Sequence, residues 1–260
     1  MVETWSTPHQ QGEPFYGGFN WIGHSTPVHL KHRDNRAGTV AARPPLFSGI
    51  LPEDYARIAA SARVKEFARG EMLYVGGDSV SQVLLLTSGF AKISQFGLSG
   101  MEVILRLSVP GDVLGAMDLF TTGLHFTTAQ AFRMCRALVW DAPTFKALVA
   151  RYPVLHQNMV RILSEDLLEL QERFREVATE RVAPRVARQL VRLLNRIGRS
   201  VNGGVEVSLT REELAQMTGT TLFSVSRLLS AWEERGIVKP RREGVTICDV
   251  PMLRTVAEES

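Results

Sequence analysis

The residues whose types and spacing point to chemistry lie between Thr210 and Gly236. Thr210 and Glu213, three positions apart, form the pair that caps a helix start reciprocally, each side chain accepting from the other residue's backbone amide. Gly219 then supplies a turn, and Thr220 or Thr221 can open a second helix by accepting from its free amides. Within that helix Val225, Leu228, Leu229 and Trp232 recur at i, i+3, i+4 and i+7, so they face a core. Phe223, Ser226, Arg227, Ser230 and Glu234 are left on the opposite stripe. A helix with free amides at its start, small hydroxyls on its early turns and one outward arginine suits the major groove of double-stranded DNA. Thr220, Thr221, Ser224 and Ser226 would meet phosphates, and Arg227 would fork onto guanine O6 and N7. Taken alone, Arg227 reads as a solvated charge or a partner of Glu233 or Glu234; the two-helix frame favours the groove. The stretch "GIVKPRREGVTICD" follows as two short strands, whose Lys239, Arg241 and Arg242 can meet an adjacent stretch of DNA backbone. Such contacts add salt-dependent affinity that is blind to sequence.

The remainder of the chain has to place that helix. A chain of 260 residues, 45% hydrophobic and 22% charged, is globular by composition and long enough for two modest domains. Its net charge of +3 is small but uneven. From Arg181 onward there are 13 Lys and Arg against 9 Asp and Glu, whereas the first 180 residues hold 17 against 18. The positive potential therefore sits in the C-terminal third, where a nucleic acid would want it. Cys135 and Cys248 are far apart and form no metal-ligand spacing, which fits a reducing compartment and no metal site. Neither a signal peptide nor a run of 18 apolar residues is present, so a cytoplasmic protein without a membrane role is expected. No nucleophile, base and orienting group share a spacing, so an enzyme is not expected.

Residues 1–43 are rich in Gly, Pro, His and Gln and read as a disordered extension; His9, His24, His29 and His32 lie there at irregular spacing, as solvated side chains rather than metal ligands. Residues 44–150 carry short apolar runs broken by glycine, the pattern of an antiparallel barrel, led by a short helix at "PEDYARIAASA". Residues 151–180 read as one long helix. Its Met159, Leu163, Leu167, Leu170, Phe174 and Val177 recur at steps of three and four, a narrow seam that favours pairing with a second copy over packing on its own barrel. Pro184 marks a new helix, so a hinge is expected over 179–183. Residues 181–252 hold an arginine-rich amphipathic helix ending at Gly198, an Asn-Gly-Gly hairpin and the two-helix unit above, and 253–260 read as a tail.

From about Leu46 to the C-terminus, this order of parts resembles the Crp/Fnr family of bacterial transcription regulators. "PGDVLG" at 110–115 with "DLF" at 118–120 looks like the family's phosphate-binding cassette, and "LTREELAQMTGTT..SVSRLL" matches its helix-turn-helix closely. The resemblance implies an α+β chain: an antiparallel jelly-roll sensor, a long dimerisation helix and a winged helix-turn-helix. It also implies a homodimer on palindromic DNA and contact with RNA polymerase. In cyclic-AMP-binding members a glutamate follows the cassette glycine and an Arg-Ser pair further on neutralises the phosphate; Ala116, Phe126 and Thr127 stand at those positions here. The family's adenine-contacting Thr-Ser aligns with Leu170 and Gln171. A buried phosphate without an arginine costs several kcal/mol, so the usual cyclic-nucleotide pose is not expected. Gly115, Ala116, Leu119, Phe126, Thr127, Leu170 and Gln171 would then line an apolar effector pocket. It would be plugged by Phe126, or filled by an apolar or planar ligand, or hold haem with His125 and Cys135 available as ligands. No cofactor is expected; the alternative is a haem-dependent or other gas- or redox-sensing regulator. On the second helix, Leu222 and Phe223 replace the family's Arg or Val followed by Glu, so that only apolar contact, for example with a thymine methyl, is open to them.

Overall fold

A computed structural model of the chain describes residues 43–259. The extension expected over 1–43 lies outside the described residues except for Arg43, whose guanidinium donates to the Ile50 carbonyl and stacks over the Tyr55 ring at 5.6 Å.

Eight strands build the N-terminal half: β1 (Arg63–Phe67), β2 (Met72–Tyr74), β3 (Gln82–Ser88), β4 (Ala91–Phe96), β5 (Glu102–Ser108), β6 (Val113–Leu114), β7 (Thr128–Ala131) and β8 (Cys135–Asp141). They form two four-stranded antiparallel sheets, ordered β1-β8-β3-β6 and β2-β7-β4-β5. The run "VLLL" in β3 is continuous because both its faces are covered. Leu84 and Leu86 point between the sheets, with Phe67, Ile93, Leu114 and Val139. Val83 and Leu85 point outward under helices, with Ile58, Trp140, Phe145 and Leu155. Those covering helices are α1 (Pro52–Ala60), α3 (Ala142–Arg151) and the start of α4 (Pro153–Thr179). Trp140 is buried whole, and its indole N–H donates to the Ile58 carbonyl at 3.0 Å. β1 and β7 escape a search for apolar runs: β1 buries only Phe67, and β7 reads "TAQA". A short α2 (Ala116–Leu119) follows β6.

The C-terminal half comprises α5 (Val182–Ile197), β9 (Arg199–Val201), β10 (Gly204–Val207), α6 (Arg211–Thr218), α7 (Leu222–Glu234), β11 (Val238–Arg241), β12 (Gly244–Ile247) and α8 (Val250–Glu258). Its sheet runs β11-β12-β10-β9. The tail expected over 253–260 is helical through Glu258: α8 is capped by Asp249 and lays Leu253, Val256 and Ala257 into the core that α5 shares with α6 and α7. Proline at the start of α8 and only nine residues of length hide its periodicity in the sequence. Among the described residues no helix is long and apolar enough to cross a membrane.

Gly89, in the β3–β4 turn, has φ +72°, and a Cβ there would meet the Met134 carbonyl at 2.2 Å. Gly89→Ala is expected to lower stability by more than about 2 kcal/mol, combining backbone strain with overpacking. Urea unfolding monitored by far-ultraviolet circular dichroism checks this.

Candidate nucleic-acid interface and sensor pocket

The helix-turn-helix is assembled by three local devices. Thr210 and Glu213 form the reciprocal cap of α6, with Thr210 N–H donating to the Glu213 carboxylate at 2.6 Å and Glu213 N–H to the Thr210 hydroxyl at 3.1 Å. Gly219 ends α6 at φ +59°, a left-handed turn that favours glycine. Thr221, rather than Thr220, caps α7; its hydroxyl accepts from Ser224 N–H at 3.1 Å and donates to the Ser224 hydroxyl at 3.0 Å. Val225, Leu229 and Trp232 are buried, with Leu228 packed beside them, so the helix is pinned by one face.

On the other face Leu222 is 50% and Phe223 74% exposed, while Arg227 is exposed and Ser226 half-buried. Lys239, Arg241 and Arg242 stand out from β11 and its turn. Among the described residues none of Arg227, Lys239, Arg241 and Arg242 pairs with a carboxylate of the chain. Glu233 and Glu234 do not capture Arg227, being six and seven residues along the helix from it. In the same wing turn Glu243 faces Arg69 of the barrel at 3.4 Å, an exposed pair of little energetic weight.

Two arginines that carry no signal in the sequence tie this unit to the barrel and to α4. Arg173 of α4 donates to the Leu105 and Ile104 carbonyls of β5 and, at 2.9 Å, to the Met217 carbonyl near the end of α6. Arg185 of α5, only 7% exposed, reaches the Val177 and Glu180 carbonyls at the end of α4 and the Gly219 carbonyl in the helix-turn-helix turn, at 3.3–3.5 Å. Asp112 of the "PGDVLG" segment binds Arg106 of β5 at 3.4 Å and Arg196 of α5 at 3.1 Å. The cassette turn is thus in direct ionic contact with the C-terminal half.

The seam on α4 requires one correction. Met159, expected to face a second copy, is 4% exposed and packs in the core beneath β3 with Leu155 and Phe145. The outward stripe begins one residue later. Val160, Leu163, Leu167, Leu170, Phe174 and Val177 are all between 49% and 74% exposed.

The pocket residues do not line one apolar cavity. Ala116 and Leu119 are buried in the core shared with α4, and Leu170 and Gln171 lie on its exposed side. Phe126 plugs nothing: it is 54% exposed, and its carbonyl accepts from Gln95. The buried ring beside the cassette glycine is His125, whose Cε1 lies 3.2 Å from where a Gly115 Cβ would stand. His125 stacks on Tyr74 with centroids 3.8 Å apart and bonds Asp118 through Nδ1 at 3.1 Å. Burial pushes the Tyr74 phenol above its ordinary range, against a hydrogen bond from Thr127.

His125 is bonded through Nδ1 to Asp118 and stacked on Tyr74, and Cys135 does not fit an iron ligand. Cys135 is buried between the sheets, and burial pushes its thiol up to about 11, which disfavours the thiolate that a metal needs. Cys248, by contrast, is exposed. A disulfide-based thiol reagent at pH 7.5 should therefore titrate one fast thiol in the native protein and both after denaturation; two fast thiols would contradict the placement of Cys135.

Comparison with known proteins agrees with this geometry. Residues 64–152 match the family model of the cyclic nucleotide-binding domain, and residues 184–256 match that of the Crp-like helix-turn-helix domain. The chain is 26% identical over 212 residues to the CRP-like cAMP-activated global transcriptional regulator of Mycobacterium tuberculosis, covering 81% of this chain and 95% of that one. It is 27% identical over 213 residues to the cyclic AMP receptor protein of Thermus thermophilus, covering 82% and 96%. The structure resembles that of the c-di-GMP responsive global regulator CLP of Xanthomonas campestris, with a TM-score of 0.68 at 19% identity over 75% of this chain and 98% of that one. It also resembles a Crp/Fnr transcriptional regulator of Thermus thermophilus, with a TM-score of 0.66 at 22% identity over 76% and 99%. With a cyclic-nucleotide-type sensor sandwich, a long connecting helix and a Crp-like helix-turn-helix in one chain, this protein belongs to the Crp/Fnr family of transcription regulators.

Proposed function

We infer that the protein acts as a homodimer that binds palindromic double-stranded DNA and regulates transcription from it, in the cytoplasm and in contact with RNA polymerase. One observation carries this reading: α7 presents outward Phe223 and an Arg227 that pairs with no carboxylate among the described residues, on a helix fixed by its cap at Thr221 and by its buried opposite face. Arg227 is assigned to a guanine, and Lys239, Arg241 and Arg242 to phosphates. Thr220, Thr221, Ser224 and Ser226 lie close to the backbone at the start of the helix.

The dimer reading rests on the α4 stripe. Six large apolar side chains at a spacing of three and four, half-exposed in the single chain, form a coiled-coil seam without a partner. A two-fold pair would set two copies of α7 about one helical turn of DNA apart. Movement about the link between α4 and α5 would then change their spacing, with Arg173 and Arg185 transmitting shifts of β5 or α4 to the helix-turn-helix.

The usual cyclic-nucleotide pose is disfavoured by more than a missing arginine. A phosphate at the cassette would meet the Asp118 carboxylate and a space filled by His125. Like charge and steric overlap both oppose it.

Replacing Leu167 and Leu170 with Glu should give a folded monomer by light scattering, with DNA affinity reduced at least 100-fold. Arg227→Ala should keep the dimer and weaken a selected duplex by roughly 30-fold or more, since each half-site loses a bidentate guanine contact of about 1 to 3 kcal/mol. A dimeric Arg227→Ala protein with unchanged affinity would contradict the reading.

A further inference from the structure

Polar readout from the start of α7 is restricted. The Thr221 and Ser224 hydroxyls bond each other, Thr221 also caps the helix, and Ser226 is half-buried. The side chains that project freely are Leu222, Phe223 and Arg227. Phe223 and Arg227 are four residues apart and share one line along the helix, with Cβ atoms about 6 Å from each other. That distance spans fewer than two base-pair steps of about 3.4 Å. Leu222 is turned about 100° away from this line.

Resting on the DNA-binding reading above, we propose that Phe223 reads the C5 methyl group of a thymine within two base pairs of the guanine held by Arg227. The assignment follows from what the groove offers. Guanine, adenine and cytosine present only donors and acceptors there, and a phenyl ring pressed on them would strip their water and return no hydrogen bond. Thymine alone presents a methyl group, which an aromatic face covers favourably. At 74% exposure Phe223 has little contact within its own chain, so the ring is available for this contact without rearrangement of the helix. The site is then one in which a guanine and a neighbouring thymine are read together, the first by hydrogen bonds and the second by its methyl.

The test begins with selection of duplexes bound by the full-length protein. Each thymine of the selected site is then replaced singly by deoxyuridine, which removes the methyl and nothing else. One position in each half-site should lose about fourfold in affinity, and both together about fifteenfold, as expected for burial of one methyl each. Phe223→Ala should bind the parent duplex more weakly by a similar factor and become indifferent to uridine. Phe223→Glu, able to accept from cytosine N4, should select cytosine at that position. Thermal melting of each variant should match the parent, since the side chain is exposed. If every uridine is tolerated by the parent, or if Phe223→Ala keeps the same uridine sensitivity, the proposal is overturned and the ring faces something other than the base. If selection yields no sequence at all, the DNA-binding reading itself fails, before any modified base is used.

Discussion

Glu176 is 1% exposed, and a carboxylate so far from water persists only with its charge and lone pairs met. Arg192 meets them with a two-pronged contact, and Arg188 adds an ionic contact at 3.2 Å. Both arginines belong to α5, so the last turns of α4 and the body of α5 are held at one angle. Everything downstream inherits that angle, because α5 shares a core with α6 and α7 through Val186, Leu190 and Leu193. Removing either side of such a pair leaves a charge stranded in low dielectric, so any repositioning about the α4–α5 link has to carry these pairs with it or re-form them.

The long helix serves three neighbours with different parts of its surface. Leu155 and Met159 close the core under β3, Arg173 and Glu176 face β5 and α5, and the stripe from Val160 to Val177 stays half-exposed. This division explains why Met159 does not belong to the outward stripe. Met159 and Val160 are adjacent and both apolar, so the 3–4 repeat continues equally well through either. Only the position of the sheet, which covers the N-terminal turns of α4 on one side, decides that Met159 turns inward.

At the cassette, the chain has kept the turn and replaced the chemistry. Gly111 and Gly115 retain left-handed backbone, and Asp112 connects the turn to Arg106 and Arg196. The adjoining space holds a Tyr74–His125 stack anchored on Asp118, a self-contained polar and aromatic cluster where an anion would need positive charge. The connection from the cassette turn to α5 is made by side chains of the chain itself.

Local signals in the sequence determined the helix-turn-helix almost completely, because caps, a glycine turn and an i, i+3, i+4, i+7 stripe are properties of contiguous residues. The outward identity of Phe223 and Arg227 follows from the same periodicity once Val225, Leu229 and Trp232 are assigned to the core. The apolar runs of β3 and β5 and the existence of a long helix were legible for the same reason. What remained hidden depends on partners distant in the chain. β1 and β7 are strands because they complete sheets begun elsewhere, α8 is a helix because α5 offers it a groove, and Phe126 is exposed because His125 occupies the interior beside Gly115. Arg173, Arg185 and Glu176 look like any solvated charges on a helix; only packing the elements together removes their water and obliges the arginines to bond carbonyls and the glutamate to pair with Arg192 and Arg188.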